Sequence, residues 1–315
     1  MGERLNVLVF TRESSAPYRA RLIDTEAIRY LFCESEDSVA ASIEGADVIL
    51  GSVAFPTRFL STARRLKWIQ VTGAGVDAFL ARGGLPGNVL LTRADVAFGG
   101  QIAEYVIGHL LAKTQRVRDV HRLQAARRWE PLIVDFLKGR TMGVAGTGSI
   151  GRAVAGRARG MGMRTIGLSR TGRGPSEFDA CYGPERLSEF LAGLDMLVLC
   201  LPLTPETRGL IGREELARMK RSAILVNTAR GAIVDEEALI EALREKVICA
   251  AILDVFAEEP LPETSPLWTM ENVTVTSHHS GLNVPEEIID YFLANLARFR
   301  SGEPLHGLVD PDRGY

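Results

Sequence analysis

The sequence lacks the features by which disulfide-rich, zinc-binding and membrane-spanning proteins are recognised. Its 315 residues include only four cysteines, which form no Cys-x-x-Cys pair: Cys33, Cys181, Cys200 and Cys249. In a chain of this length we expect small buried hydrophobic side chains rather than disulfide partners or zinc ligands, and we expect no bound metal. The longest apolar run, residues 196–203, contains a proline and falls well short of the roughly 20 residues that a membrane-spanning helix needs.

An excess of charge of one sign is also lacking. Lys and Arg number 37, Asp and Glu number 39, and the formal net charge is −2. A near-neutral chain gives no reason to expect a polyanionic partner such as nucleic acid. Residues 1–10 show no charged region followed by a long apolar one, as a secretory leader would. We therefore expect a cytoplasmic protein without nucleic-acid or membrane partners.

Glycine, in contrast, is in excess: it supplies 31 of the 315 residues, about 10% against a usual value of roughly 7%. Short apolar runs alternate with helical patterns in two series, which is typical of βαβ units and parallel sheets. The first series is 7–10, 46–50, 67–71 and 89–91, and the second is 141–145, 164–168, 196–201, 223–227, 248–254 and 273–276. The second series is long enough for a complete dinucleotide-type sheet, and a helical tail over 284–300 is expected to return to the first.

Helical patterns are predicted between these runs, at 56–66, 150–160, 213–219 and 236–244. The longest pattern covers residues 101–127 and has no Gly or Pro except Gly108. As one helix it would be about 40 Å long, enough to bridge two domains or to build a dimer interface, with Gly99-Gly100 before it as a hinge. His109, in its apolar stretch, is interpreted as a packed core side chain.

A glycine-rich turn follows the first strand of the second series. Residues 142–151 contain Gly-x-Gly-x-x-Gly at Gly146, Gly148 and Gly151, between a predicted strand and a predicted helix. In that context Gly146 permits a tight turn, Gly148 lets the backbone approach a pyrophosphate, and Gly151 lets the helix pack on the strand. The N–H groups that open the helix would face the phosphates. The alternative is a packing turn that holds no ligand.

The end of the next strand predicts which dinucleotide is bound. It runs into Ser169-Arg170-Thr171-Gly172-Arg173, without the Asp or Glu that hydrogen-bonds the ribose 2′-OH of NAD. A carboxylate would repel a 2′-phosphate, whereas a hydroxyl and two guanidinium groups would attract one. We therefore predict NADP(H) in preference to NAD(H). The alternative is a solvated basic turn.

Three later strand ends carry side chains that suit the reduction of a keto acid. Arg230 follows one strand, Glu258 and Glu259 follow the next, and His278 and His279 follow the last. Ligands of open α/β sheets bind at this edge. A histidine can donate a proton to the carbonyl oxygen, a carboxylate favours its protonated form, and an arginine binds the substrate carboxylate.

Taken together, these motifs resemble the D-isomer-specific 2-hydroxyacid dehydrogenase family over essentially the whole chain. They are residues 73–77, the glycine-rich turn, residues 201–207 and 227–231, 254–256 with 259–261, and Ser277-His278 followed by Gly281. The resemblance implies an α/β protein of two Rossmann-like domains with parallel sheets. A flavodoxin-like substrate-binding domain (residues 1–98 and 283–315) would carry an inserted NAD(P)-binding domain (residues 99–282).

The resemblance also implies the roles of individual residues. Arg230, Glu259 and His278 would be catalytic, with Arg230 and His278 contacting the substrate. Backbone N–H groups around Ala74, Gly75 and Val76 would bind the substrate carboxylate. The residues expected to bind the cofactor, with Asp254 on the nicotinamide carboxamide, are Gly146, Gly148, Ser149, Ile150, Gly151, Ser169, Arg170, Thr171, Leu201, Pro202, Thr228, Ala229, Asp254 and Gly281.

Two doublets need a choice. The family pattern places the histidine after Thr-Pro and the glutamate directly before a proline, which selects His278 and Glu259. The chain departs from that pattern at Ser277, where proline is usual, and at His279, where an apolar residue is usual. We expect the polar His279 to contact the substrate or a dimer partner.

The substrate is predicted more coarsely. Residues 169–171 are similar to those of NADPH-dependent glyoxylate/hydroxypyruvate reductases, which favours reduction of a small 2-keto acid. The family resemblance also implies a homodimer, since family members are typically homodimers. Two alternatives share much of the same residue set: a cofactor-binding sensor of the corepressor kind, and a phosphite dehydrogenase.

Overall fold

The computed structural model describes residues 4–12 and 14–315, with the side chains of residues 95 and 96 left aside. The strands are β1 (Leu5–Phe10), β2 (Ile28–Cys33), β3 (Val48–Gly51), β4 (Trp68–Val71), β5 (Leu90–Arg93), β6 (Thr141–Ala145), β7 (Arg164–Leu168), β8 (Ala180–Tyr182), β9 (Met196–Leu199), β10 (Ile224–Asn227), β11 (Ala250–Leu253) and β12 (Val273–Val275). The α-helices are α1 (Ala16–Arg21), α2 (Glu36–Ser42), α3 (Asp77–Ala81), α4 (Gly99–Thr114), α5 (Val117–Ala125), α6 (Ser149–Gly160), α7 (Leu187–Ala192), α8 (Arg213–Arg218), α9 (Glu236–Arg244) and α10 (Pro285–Ser301).

The chain divides into two compact units, Met1–Phe98 with Asn283–Tyr315, and Gly99–Leu282. In the first unit five parallel strands lie in the order β2-β1-β3-β4-β5. That is the flavodoxin-like order of a doubly wound sheet. Its apolar core gathers strand and helix side chains such as Leu8, Ile49, Ile69 and Phe79.

The C-terminal segment closes this first unit. Phe292 of α10 stacks on the Trp68 ring at 5.4 Å between centroids. A buried amide continues the contact, because Asn295 donates to the Gln70 side chain at 3.0 Å and accepts from the His306 backbone N–H at 2.8 Å. The C-terminal segment is thus held by hydrogen bonds as well as by apolar packing, and it belongs to the first unit.

The second unit contains a seven-stranded parallel sheet in the order β12-β11-β10-β9-β6-β7-β8. Counted from β6, this is the Rossmann order 3-2-1-4-5-6 with one further strand at the edge. The order reverses between β6 and β9, the point at which doubly wound sheets bind ligands. The predicted fold class, two Rossmann-like α/β domains with parallel sheets, is confirmed.

The single helix predicted over residues 101–127 is wrong. The structure has α4 ending at Thr114 and α5 beginning at Val117, with Arg116 between them at φ 55° in the left-handed region. Arg116 also pairs with Asp119 at 2.7 Å. The 16 residues of α4 span roughly 24 Å, so the 40 Å helix does not exist.

The remaining differences are local. Residues 56–66, predicted as a helix, contain a 3-10 helix at Thr57–Thr62. Of the four free cysteines, Cys33 is buried as predicted, whereas Cys181 and Cys200 are half-buried and Cys249 is exposed. His109 is only half-buried and lies outside the apolar core, against expectation. No helix in the described part of the chain is long and apolar enough to cross a membrane.

Candidate active site

The glycine-rich turn of the second unit leaves room where a ligand would have to approach. Gly146 has φ 101°, and a Cβ there would lie 2.6 Å from the Cys200 carbonyl oxygen. A Cβ on Gly151 would lie 1.9 Å from the Gly146 carbonyl oxygen, because α6 packs tightly against the turn. A Cβ on Gly148 would meet no atom within 4 Å. The turn thus combines two closely packed glycines with one that faces open space, as a dinucleotide pyrophosphate at the start of α6 requires.

The turn after β7 is basic and already partly hydrogen-bonded. The Ser169 hydroxyl donates to the Arg173 carbonyl at 2.6 Å, and its N–H donates to the Tyr182 carbonyl. Arg170, Thr171 and Arg173 are exposed. Because Ser169 already donates its hydroxyl proton within the turn, the guanidinium groups of Arg170 and Arg173 are the better candidates for binding the 2′-phosphate of a dinucleotide.

The loops after β9 and β10 are held by short side chains. Thr207 accepts from the Thr204 backbone N–H at 2.8 Å and donates to the Pro202 carbonyl at 2.7 Å. This hydroxyl fixes the loop that carries Leu201 and Pro202. Thr228, one strand further on, donates to the Leu199 carbonyl at 3.2 Å.

The arginine loop after β10 is organised by a buried asparagine. The Asn227 side chain accepts from the Ala229 N–H at 3.1 Å and donates to the Arg230 carbonyl at 3.0 Å. A Cβ on Gly231 would lie 1.9 Å from the Phe256 carbonyl carbon. Glycine at 231 is therefore required by contact with the loop after β11, and the Arg230 loop lies against the loop that leads to Glu259.

The structure brings Glu259 and His278 into direct contact. Glu259 Oε2 lies 2.8 Å from His278 Nδ1, and Oε1 accepts from the Phe256 backbone N–H at 3.0 Å. Because a carboxylate only accepts hydrogen bonds, Nδ1 carries the hydrogen. The other ring nitrogen, Nε2, is therefore the position at which His278 takes up or releases a proton. Both adjacent glutamates are exposed, and of the two it is Glu259 that makes this contact.

Asp254 is fully buried at the end of β11, inside the loop that carries His278. Its Oδ1 accepts from the Thr276 hydroxyl at 2.6 Å and from the His279 N–H at 2.9 Å, and its Oδ2 accepts from the Ser280 N–H at 2.9 Å. Its backbone carbonyl accepts from the His278 N–H. Burial alone would raise the pKa of Asp254, but the hydrogen bonds from Ser280, Thr276 and His279 outweigh burial and lower it.

Two neighbouring side chains of α4, Tyr105 and His109, were not among the predicted site residues, and Tyr105 contacts the same loop. The Tyr105 hydroxyl lies 2.7 Å from the Thr276 hydroxyl, and burial raises the pKa of Tyr105. The Tyr105 ring lies 4.3 Å from the His109 ring and 5.9 Å from the His279 ring, between centroids. Burial, with the nearby His279, lowers the pKa of His109. The spacing of Tyr105 and His109, four residues apart on one helix face, was the available sequence signal.

The predicted carboxylate-binding segment lies in the first unit, directly after β4. Ala74 and Gly75 are half-buried and Val76 is buried at the start of α3. The Gly73 carbonyl accepts from the Ala94 N–H at 3.1 Å. Across the described residues, no group of three His, Cys, Asp or Glu side chains is placed to hold a metal ion.

Comparison with known proteins decides the family. The model for "D-isomer specific 2-hydroxyacid dehydrogenase, NAD binding domain" matches residues 107–280. The glyoxylate/hydroxypyruvate reductase A of Serratia proteamaculans is 34% identical over 266 residues, which cover 82% of this chain and 85% of that relative. The chain belongs to the D-isomer specific 2-hydroxyacid dehydrogenase family. This dehydrogenase is thus an NAD(P)-dependent oxidoreductase acting on 2-hydroxy acids.

Solved structures agree with this assignment. A family member from Xanthobacter autotrophicus, in complex with NADPH and MES, is 34% identical with a TM-score of 0.89, covering 99% of this dehydrogenase and 100% of that chain. An NADPH-dependent glyoxylate/hydroxypyruvate reductase from Sinorhizobium meliloti, in complex with NADP and sulfate, is 29% identical with a TM-score of 0.88 and the same coverage.

Proposed function

We propose that this dehydrogenase reduces a small 2-keto acid, glyoxylate or hydroxypyruvate, to the 2-hydroxy acid, in the D configuration where the product is chiral. The observation that carries the proposal is the contact of Glu259 with His278 Nδ1, which leaves Nε2 free to carry the proton. A nicotinamide cofactor held at the glycine-rich turn would supply the hydride for the carbonyl carbon. His278 Nε2 gives a proton to the carbonyl oxygen, and Glu259 stabilises the protonated ring between turnovers.

Arg230 is proposed to bind the substrate carboxylate. Its guanidinium is permanently charged and can bind a carboxylate through two parallel hydrogen bonds. Asn227 and Gly231 hold the Arg230 backbone at the edge of the sheet. Backbone N–H groups around Ala74, Gly75 and Val76 are proposed to contribute to carboxylate binding. The predicted cofactor contacts at the glycine-rich turn, at 201–202, at 228–229, and at Asp254 and Gly281 are retained as part of the proposal.

NADPH is proposed as the preferred hydride donor. Arg170 and Arg173 are exposed after β7, and residues 169–173 include no carboxylate that would repel a 2′-phosphate. Complexes of relatives with NADPH or NADP support the same choice. The substrate choice is supported by the names of curated relatives, glyoxylate/hydroxypyruvate reductase A, at 34% to 36% identity.

A homodimer is proposed as the working form. The irregular segment after α5 exposes three large apolar side chains: Trp129 is 99% exposed, Ile133 91% and Phe136 68%. Three such residues within eight positions are a surface that a soluble chain covers with a partner. A second copy is the partner consistent with the family. Light scattering of the purified protein, compared with Trp129→Ser, would test this.

The catalytic proposal is tested by turnover of a panel of keto acids and phosphite with NADPH and NADH. We expect glyoxylate or hydroxypyruvate to be reduced with a lower KM for NADPH than for NADH. His278→Ala is expected to lower kcat by roughly 100- to 10,000-fold. The matched variant His279→Ala is expected to retain most of the wild-type kcat. A lower KM for NADH would overturn the cofactor choice. Tight cofactor binding without turnover would favour a sensor, and turnover of phosphite alone would favour a phosphite dehydrogenase.

A further inference from the structure

The direction of the hydrogen bonds between Tyr105, Thr276 and Asp254 follows from counting protons. The Thr276 hydroxyl has one proton, and it lies 2.6 Å from Asp254 Oδ1 and 2.7 Å from the Tyr105 hydroxyl. Asp254 is ionised, since its pKa is lowered, and an ionised carboxylate only accepts. Thr276 therefore donates to Asp254, and Tyr105 must donate to Thr276. The chain of hydroxyls runs in one direction, from α4 to the buried carboxylate.

Helix α4 also contacts the C-terminal end of the loop that carries His278. Gln101 Oε1 accepts from the Leu282 backbone N–H at 2.8 Å. Gln101, Tyr105 and His109 are spaced at four-residue intervals, so they lie along one face of α4. We call these three residues the α4 clamp. It contacts the loop at Thr276 through a hydroxyl, at His279 through ring packing, and at Leu282 through an amide.

His278 itself needs such support because of its backbone conformation. Its φ is 53°, in the left-handed region that is sterically unfavourable for a residue with a Cβ. The neighbouring N–H groups of His279 and Ser280 are fixed on the Asp254 carboxylate, and the His278 N–H is fixed on the Asp254 carbonyl. These bonds select the one backbone arrangement that directs Nδ1 at Glu259.

We propose that Tyr105 is a positioning residue for the proton donor: through Thr276 and Asp254 its hydroxyl holds His278 in the conformation that meets Glu259. This inference rests on the proposed function for the role of His278 as the proton donor. Tyr105 itself is not catalytic, because its contacts are with the loop. The competing explanation is that the Tyr105 ring only fills space between His109 and His279, in which case the hydroxyl is dispensable.

Tyr105→Phe separates the two explanations, since it keeps the ring and removes only the hydroxyl. The matched control is Tyr30→Phe, which makes the same change at a buried tyrosine of β2 in the other sheet. The set is completed by Thr276→Val, which interrupts the chain at its middle, by Thr276→Ser, which keeps the hydroxyl, and by the double variant of Tyr105→Phe with Thr276→Val.

The first measurement is amide hydrogen exchange of the peptide covering residues 276–282, which does not depend on turnover. We expect exchange about 3- to 10-fold faster in Tyr105→Phe and Thr276→Val, from the loss of one hydrogen bond, with wild-type exchange in Tyr30→Phe and Thr276→Ser. Unchanged exchange in Tyr105→Phe would overturn the proposal.

The second measurement is steady-state reduction. Tyr105→Phe is expected to lower kcat about 3- to 10-fold with the KM of the keto acid nearly unchanged, because the substrate-binding Arg230 is untouched. The double variant should lose no more than Thr276→Val alone, since both substitutions break one chain. If the losses in kcat of Tyr105→Phe and Thr276→Val instead multiply in the double variant, the two hydroxyls act independently and the positioning role of Tyr105 is overturned. If the wild type turns over no keto acid while exchange in the variants still rises, the proposed function fails and the loop-holding role of Tyr105 stands.

Discussion

Buried aspartates lie at both ends of the parallel strands, and those at the amino ends have different partners from the one at the carboxyl end. At the amino ends of the strands, Asp47 accepts from the Asn6 N–H at 2.9 Å and pairs with Arg65 at 3.1 Å. Asp195 of the second sheet repeats the arrangement: it accepts from the Thr141 N–H at 2.8 Å and pairs with Lys220 at 2.9 Å. In each case the carboxylate joins one strand to the start of its neighbour and has a cation beside it.

Asp254, at the carboxyl end of the second sheet, is held differently. Within the described residues the donors to its carboxylate are uncharged: the hydroxyls of Thr276 and Ser280 and the backbone N–H groups of His279 and Ser280, all in a single loop. A cation at the amino edge offsets desolvation and ties strands together. At Asp254, in contrast, the hydrogen bonds all come from one loop, so the conformation of that loop depends on the negative charge of the carboxylate. We therefore expect the aspartates at the amino ends of the strands to support stability, and Asp254 to support turnover.

Among variants of the three buried aspartates, Asp254→Asn should have the strongest effect on turnover. The amide keeps the size of the side chain but presents hydrogens to backbone donors, and each unsatisfied buried donor costs about 1–3 kcal/mol. Because the His279 and Ser280 N–H groups bond different oxygens of Asp254 and the amide keeps one oxygen, one backbone donor beside His278 loses its acceptor, which should lower kcat/KM roughly 10- to 100-fold. Steady-state kinetics on samples shown to be folded by circular dichroism would check this. The comparison breaks if Asp254→Asn lowers the melting temperature and leaves kcat/KM at the wild-type value.

Asp195→Asn is the matched variant at the opposite edge. It retains an oxygen for the Thr141 N–H but loses the charge that faces Lys220. Because Lys220 is 41% exposed and is solvated once unpaired, we expect the free energy of unfolding to fall by only about 1–2 kcal/mol. kcat/KM should stay within twofold. Urea unfolding followed by tryptophan fluorescence gives the first value, and a loss of turnover like that of Asp254→Asn would contradict the distinction between the edges.

The sequence predicted every inner strand of both sheets and missed two of the four outermost strands. These are β2 and β8, each of which lies on one side of its sheet. An edge strand has one neighbour, so its pattern is less apolar: β2 has an exposed Arg29 and β8 has three half-buried residues. The break at Arg116 was missed for a related reason, because no glycine or proline marks it and local helix propensity was overridden by the surrounding structure.

The candidate site could be predicted where its chemistry requires particular residue types at particular positions of a sequence motif. The Gly146–Gly151 turn and the Glu259–His278 pair follow from motifs, and the structure places the pair in contact. What motifs do not encode is the support behind them. Tyr105 meets Thr276 across 171 positions of sequence, and nothing in the residue pattern of α4 indicates which loop its polar face will contact. His109 was therefore read as a core residue.

A smaller effect is expected in the pH dependence of the stability that Asp195 contributes. Burial alone would raise the pKa of Asp195, but hydrogen bonds from Thr141 and Lys220 and the charges of Lys220 and Arg140 lower it. A carboxyl group with a lowered pKa in the folded state stabilises the fold above its unfolded value, about 3.9, and loses that contribution as pH falls through the folded value. The difference in unfolding free energy between wild type and Asp195→Asn should therefore be constant from pH 7 to about 5 and shrink below about 4. Urea unfolding at pH 7, 5, 4 and 3 measures it, and a difference that grows towards acid pH would show that the carboxylate is not the stabilising form.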